Sequence, residues 1–264
     1  MSLTITVVDS FTDQPFRGNP AAVCVLDREP SAEWMQSVAA EMNLSETAFI
    51  TSRADGDRDL RWFSPTVEVD LCGHATLASA HVLGGVCRFH TRSGVLTCRP
   101  TEDSRIQMDF PAVTVEPVDE PPDWSKALRV DADRVAGVYE APGWVMVELR
   151  TADDVRAVVP DRQSILELGG FAIVTARGDE PGVDSVCRMF GPAAGIDEDP
   201  VTGSAHCVLA PFWAGRLGRT DLVGEQVSAR GGKVGMRLDG DRVVLTGQAV
   251  TTLVAQLQVD PPAA

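Results

Sequence analysis

Two stretches of this chain repeat one another, and nothing else in the sequence limits the fold as strongly. The first reads Phe63-Ser64-Pro65, then Asp70, then Gly73-His74-Ala75 opening an apolar run through Leu83. The second reads Phe190-Gly191-Pro192, then acids including Asp199, then Gly203-Ser204-Ala205 opening an apolar run through Leu209. The two glycines stand 130 residues apart in a chain of 264. A period of about half the chain predicts a duplicated α/β unit with an approximate two-fold axis, its halves facing each other across a cleft. Residues 115–124, VEPVDEPPDW, hold four acids and three prolines, a composition that suits neither strand nor helix interior. They predict a linker. The expected division is 1–116 and 117–264, with the last strand able to return to the first half.

Local patterns fill in the halves. Thr4–Val8 alternates, and Ala21–Leu26 is an apolar run behind the turn signal Gly18-Asn19-Pro20. Trp34, Met35, Val38, Ala39 and Met42 fall at helical spacing between a capping Ser31 and a stop at Asn43. Strands are expected at 47–51, 60–63, 94–98, 105–110, 144–149, 171–176 and 185–190, with short helices near 152–159. Asp239-Gly240 is a hairpin turn between strands 234–238 and 242–246.

Composition removes several classes of function. A net charge of −15 repels nucleic acid and anionic membrane surfaces. No apolar run reaches the ~18 residues of a membrane span. The start, MSLTITVVDSF, lacks the pattern of a secretory signal, so a cytoplasmic location is expected. Six scattered cysteines read as buried thiols and not as a disulfide framework. Cys72-x-His74 and His206-Cys207 are not usual zinc spacings, so no metal is expected. Phosphate-loop and dinucleotide fingerprints are missing as well.

What chemistry the remaining residues favour follows from helix starts. A helix start exposes unpaired N–H groups and partial positive charge, and glycine lets a ligand approach the backbone. The starts at Gly73 and Gly203 can therefore bind a small acid's carboxylate, or simply make tight turns. His74 at the first start is expected to be neutral, its pKa lowered by the helix dipole. Asp199 precedes the second start, where an acid also stabilises helices structurally. Glu46, in NLSETAFI, is either a solvated strand-edge charge or a partly desolvated carboxylate suited to proton exchange near neutrality. Cys72 next to Gly73 is a candidate thiol base. The repeat aligns it with Thr202, and Cys207 falls inside the second helix, which opposes two-thiol chemistry.

Five ordered segments carry a family resemblance: VDSFTDQPFRGNPAAV, NLSETAFI, FSPTVEVDLCGHATLASAHVL, RMFGPAAGIDEDPVTGSAHC and VSARGGKVGM. Together they span residues 8 to about 236, and the chain resembles the phenazine-biosynthesis isomerase-like (PhzF-like) proteins, relatives of diaminopimelate epimerase. The resemblance implies an α+β class, a duplicated epimerase-like fold in which each half curls a mainly antiparallel sheet round a central helix. It implies a cofactor-free isomerase, a homodimer, with its site in the cleft between the halves. Glu46, His74 and Asp199 would be catalytic, Glu46 moving the proton. Asn19, Gly73, Thr202, Gly203 and Ser204 would bind substrate, with backbone groups used at Gly73, Thr202 and Gly203. The implied substrate is a small carboxylic acid, as in isomerisation of trans-2,3-dihydro-3-hydroxyanthranilate. The paired cysteines of the epimerase relatives do not carry over. Two other readings stay open: an amino-acid or hydroxy-acid epimerase or racemase using Cys72, and a non-catalytic homodimer that binds a small acid.

Overall fold

The structure, a computed structural model, describes residues 3–259. The chain forms two compact units. One takes the residues up to 109 and resumes at 246; the other is the continuous segment 110–245.

The first unit begins with β1 (Leu3–Ser10) and β2 (Asn19–Leu26), then α1 (Ala32–Met42), β3 (Glu46–Ser52), β4 (Arg58–Phe63) and the short β5 (Glu68–Val69). Next come α2 (Gly73–Leu83), β6 (Cys87–Thr91), β7 (Gly94–Pro100) and β8 (Ile106–Pro111). β1 and β2 pair antiparallel, β2 and β3 parallel across α1, and β3 and β4 antiparallel. One end of β4 pairs with β5; its other end pairs parallel with β6, reached through α2. α1 is bounded as its sequence predicts. Ser31 Oγ accepts from Trp34 N, and Asn43 closes the helix in the left-handed region.

The second unit contains β9 (Glu116–Pro117), α3 (Trp124–Leu128), β10 (Val135–Ala141), β11 (Trp144–Leu149), α4 (Ala152–Ala157) and α5 (Arg162–Glu167). It continues through β12 (Ala172–Arg177), β13 (Ser185–Gly191), β14 (Ile196–Asp199), α6 (Gly203–Leu217), β15 (Asp221–Gln226), β16 (Gly232–Asp239) and β17 (Arg242–Gly247). The pairing scheme is that of the first unit. β10 and β11 pair antiparallel, β11 and β12 parallel, β12 and β13 antiparallel. β13 divides its edge between β14 and the parallel β15, reached through α6. The last strand, β18 (Ala249–Leu257), returns to the first unit and pairs antiparallel along β1 from Leu3↔Leu257 to Ser10↔Ala249.

Each repeat carries a central helix with no polar face. In α2 every residue from Gly73 to Ala80 is buried, and the helix packs on β18, β1, β2 and β3. One helix touching four successive strands requires the sheet to bend around it. α6 is buried on nearly all sides and packs on β15 and β16. Further duplicated features lie outside the glycine motif. Arg61 grips Glu68 with Nε and Nη2, both at 2.7 Å, and its guanidinium lies over Phe63 at 5.2 Å. Arg188 grips Glu198 at 2.7 and 2.9 Å and lies over Phe190 at 5.0 Å. Such two-pronged, part-buried pairs fix the hairpins that lead into the central helices. Ser93 Oγ donates to Asp70 O and Ser228 Oγ to Pro200 O, each 2.7 Å, on the carbonyl three residues before the helix glycine.

Three expectations differ from the structure. The segment 115–124 is not a free linker: Glu116 and Pro117 pair with Glu140 and Tyr139, and Trp124 is buried in the second unit's core. The compact units accordingly part at 109/110, earlier than the 116/117 division read from composition. The second central helix runs on to Leu217 despite Pro211. Proline cannot donate to Cys207 O, and that carbonyl instead accepts from Val113 N at 3.1 Å. Trp213 in the same helix is buried, and its Nε1 donates to Thr175 Oγ1 at 3.0 Å.

Candidate active site

In the first unit the chain gathers Asn19, Glu46, Cys72 and His74. Asn19 opens β2, and the turn before it is tightly held. Gly18 has φ +63°, and Phe16 N donates to the buried Asp9 carboxylate at 2.7 Å. Glu46 opens β3 opposite Ala21. It is only 8% exposed, so the solvated-edge reading of this residue is set aside. Asn19 Nδ2 lies 3.1 Å from His74 Nδ1, while His74 Nε2 lies 3.1 Å from Glu46 Oε2. With the amide oriented this way, Nδ1 must accept, and the single ring proton sits on Nε2, facing the carboxylate. The close approach to Glu46 is off the axis of a formed hydrogen bond. Ser10 Oγ donates to His74 O at 2.8 Å and fixes the first turn of α2 to β1.

His74 is neutral, as expected, though for another reason. Its pKa is lowered to about 3 by burial away from water. Neither helix start is capped by a side chain: Cys72 before α2 and Thr202 before α6 both lie in extended backbone without a capping bond. Cys72 Sγ turns to His74 Nδ1 at 3.5 Å.

In the second unit, Asp199 Oδ2 accepts from Thr202 Oγ1. The Thr202 N–H is already used, donating to Gln226 Oε1 at 2.9 Å. Gly203 is buried and Ser204 half-buried in the first turn of α6. One turn on, His206 Nδ1 donates to Thr202 O at 2.8 Å. This is the place of Thr76 in the first unit, whose hydroxyl donates to Cys72 O at 2.5 Å. Burial lowers the His206 pKa to about 4. Cys207, the nearest thiol to the repeat position of Cys72, points to its own helix at Gly203 O, 3.5 Å away. Burial pushes it up to about 12, so it is no thiolate base.

The protein matches the family described as phenazine biosynthesis-like protein over residues 8–255. This chain belongs to that family. A Pseudomonas aeruginosa relative named an uncharacterized isomerase is 47% identical, covering 98% of this chain and all of its own. A crystal structure of a phenazine biosynthesis protein of the PhzF family from Enterococcus faecalis superposes with a TM-score of 0.91 at 38% identity, over 98% and 100% of the two chains. A hydroxyproline epimerase from Agrobacterium vitis, 9% identical with a TM-score of 0.62 over 98% and 94%, shares the fold alone. The duplicated α+β epimerase-like architecture is thereby that of this family member.

Of the site residues read from sequence, Asn19, Glu46, Gly73 and His74 meet in the first unit. Asp199, Thr202, Gly203 and Ser204 meet in the second. Sequence reasoning passed over Ser10 and Gln226 and weighed His206 only as half of an unsuitable zinc pair; the only trace of Ser10 was its place inside the VDSF segment. Among the described residues, Glu46, Cys72 and His74 offer donor atoms within 4.8 Å of one another. The thiol lies 3.5 Å from Nδ1 and the carboxylate 3.1 Å from Nε2 of the same ring. No described helix is long and apolar enough to cross a membrane.

Proposed function

We propose that this family member is a cofactor-independent isomerase that moves a proton between two carbons of a small unsaturated carboxylic acid through Glu46. One observation carries the reading: a nearly buried carboxylate whose Oε2 lies 3.1 Å from Nε2 of a buried, neutral imidazole. The Glu46 carboxylate takes a proton from a carbon next to the conjugated system. The bonding electrons spread into that system, toward the acid's carboxyl group. Glu46, now protonated, then returns the proton to a second carbon as the electrons flow back, so atoms and charge balance with no other reagent. His74, unable to take a proton at neutral pH, serves as a donor that orients the substrate. In the first unit Asn19 and the amides opening α2 suit a small acid's polar and carboxylate groups; in the second, Asp199, Ser204 and the amides opening α6 offer groups of the same kinds. A trans-2,3-dihydro-3-hydroxyanthranilate-like acid meets these requirements. The two-thiol epimerase alternative loses support from the placement of Cys207.

The experiment is a deuterium-incorporation screen in heavy water over dihydroaromatic and amino acids. Wild type should label at least one dihydroaromatic acid, and Glu46→Gln should lower the rate by ~10²-fold or more. Full retention in the variant removes Glu46 from the mechanism. The homodimer and the cytoplasmic location belong to the same reading; light scattering at twice the chain mass is the expected result for the first.

A further inference from the structure

The second unit spends a whole buried amide on the turn that presents Asp199. Gln226 ends β15 and is fully enclosed. Its Oε1 accepts from Thr202 N at 2.9 Å. Its Nε2 donates to Asp199 O at 2.6 Å and to Thr202 Oγ1 at 3.2 Å. A glutamine amide has two protons and a carbonyl, and all are engaged here, with the Cys187 thiol adding a weak 3.9 Å contact to Oε1. Because Thr202 Oγ1 accepts from Gln226, its one proton is directed at Asp199 Oδ2. The residues either side of Pro200-Val201 are thus tied to each other and to a strand 24 to 27 residues away.

The fold itself does not need this tie, because the other repeat does without it. Strand pairing places Phe89 opposite Arg58 and Gly224 opposite Ser185, each five residues before the repeated phenylalanine. The position equivalent to Gln226 is therefore Thr91, whose hydroxyl goes to the local carbonyl of Gly94 at 2.7 Å. Both repeats share the serine bond behind the helix glycine; only the repeat holding Asp199 adds the amide.

We propose that Gln226 is a positioning residue that sets the rotamer of Thr202 and, through it, the direction of the Asp199 carboxylate for substrate. The catalytic half of this inference rests on the proposed isomerase reading; the positioning half does not. The test therefore reads both. In the wild-type protein, the Thr202 amide should exchange with heavy water as slowly as the strand amide of Met236. In Gln226→Met, which keeps length and removes all polar atoms, Thr202 exchange should accelerate ~10-fold or more while Met236 stays protected. In Gln226→Glu the acceptor for Thr202 N survives, so Thr202 should stay closer to wild type. Isomerase kcat/KM, measured well below the melting temperature, should fall roughly 10–100-fold in Gln226→Met and less in Gln226→Glu, as expected for a misplaced carboxylate.

Fast Thr202 exchange in the wild type overturns the proposal without any variant, as does unchanged exchange in folded Gln226→Met. Altered exchange with unaltered kcat/KM also overturns it, because the tie would then be structural only. If no acid is isomerised by the wild type but Thr202 exchange responds as stated, the isomerase reading fails and the positioning geometry stands.

Discussion

Consider Gly224→Ala, which pushes one methyl group against the helix that carries the Asp199 turn. Gly224 lies inside β15, opposite Ser185 and Val234, and its backbone is not in the left-handed region. Any penalty must therefore come from space. A Cβ there would stand 2.8 Å from His206 Cδ2, 2.9 Å from His206 Nε2 and 3.1 Å from Met236 Cε. The methionine end can step aside. The imidazole cannot do so freely, because Nδ1 is held by Thr202 O at 2.8 Å and the ring is fully enclosed. Overpacking of this kind costs about 1–3 kcal/mol. Removing a strand glycine returns about 0.5–1 kcal/mol of chain entropy. With the ring pinned the overpacking cost falls in the upper half of that range, so the net is a loss of roughly 1–2.5 kcal/mol, or ~2–10 °C in melting temperature for a chain of this size. Thermal unfolding by circular dichroism reads it. Gly215→Ala is the control of opposite sign. That glycine is exposed in α6 with nothing within 4 Å of the added carbon, so helix propensity should stabilise it by up to ~1 kcal/mol. If Gly224→Ala melts within a degree of wild type, the ring is not pinned and the account of the α6 entry is wrong.

Two more outcomes follow from the geometry. His74 and His206 are neutral in the fold down to about 3 and about 4, whereas an unfolded histidine takes up its proton near 6.5. The unfolded chain thus binds more protons below that value. Stability should fall as pH drops from about 6.5 toward 4, by at most roughly 1.4 kcal/mol per pH unit for each ring, and neither ring should add slope above 7. Urea midpoints between pH 4 and 8 check this, and the wild-type rate profile should show no histidine limb; a limb lost in His74→Gln would contradict the burial of that ring. Gly18→Ala places a Cβ 2.1 Å from the Ser10 carbonyl oxygen at a φ of +63°. That oxygen belongs to the Ser10↔Asn19 pair and has no room to yield, so about 2–5 kcal/mol should be lost together with proton-transfer activity. Gly56→Ala, at φ +91° in open space, should show the backbone cost alone.

The repeat was legible because its parts are local: Phe-x-Pro, an acid, and a glycine-opened apolar run lie close together in each copy. The bounds of α1 were legible for the same reason, since Ser31 and Asn43 act on their own helix. Glu46 was ambiguous, because flanking apolar residues cannot say whether the end of a strand is covered. Gln226 left no signal at all; its partners lie far behind it in sequence and nothing near it announces an amide clasp. The prolines of 115–124 misled for a specific reason. Proline excludes interior strands and helices, yet Pro117 is tolerated in a two-residue edge pairing, and Trp124 right after the run fills a core. Pro211 was likewise compatible with a helix once a distant amide took the orphaned carbonyl.

The pairing of β18 with β1 has a consequence for how the chain is made. The segment 110–245 is continuous in the sequence, and domains usually fold as units during synthesis. The unit that is translated first is not complete until β18 arrives more than a hundred residues later. Its helix α2, apolar on every side, must wait for that strand with one flank uncovered. The earliest-born half of this protein is therefore the last to close.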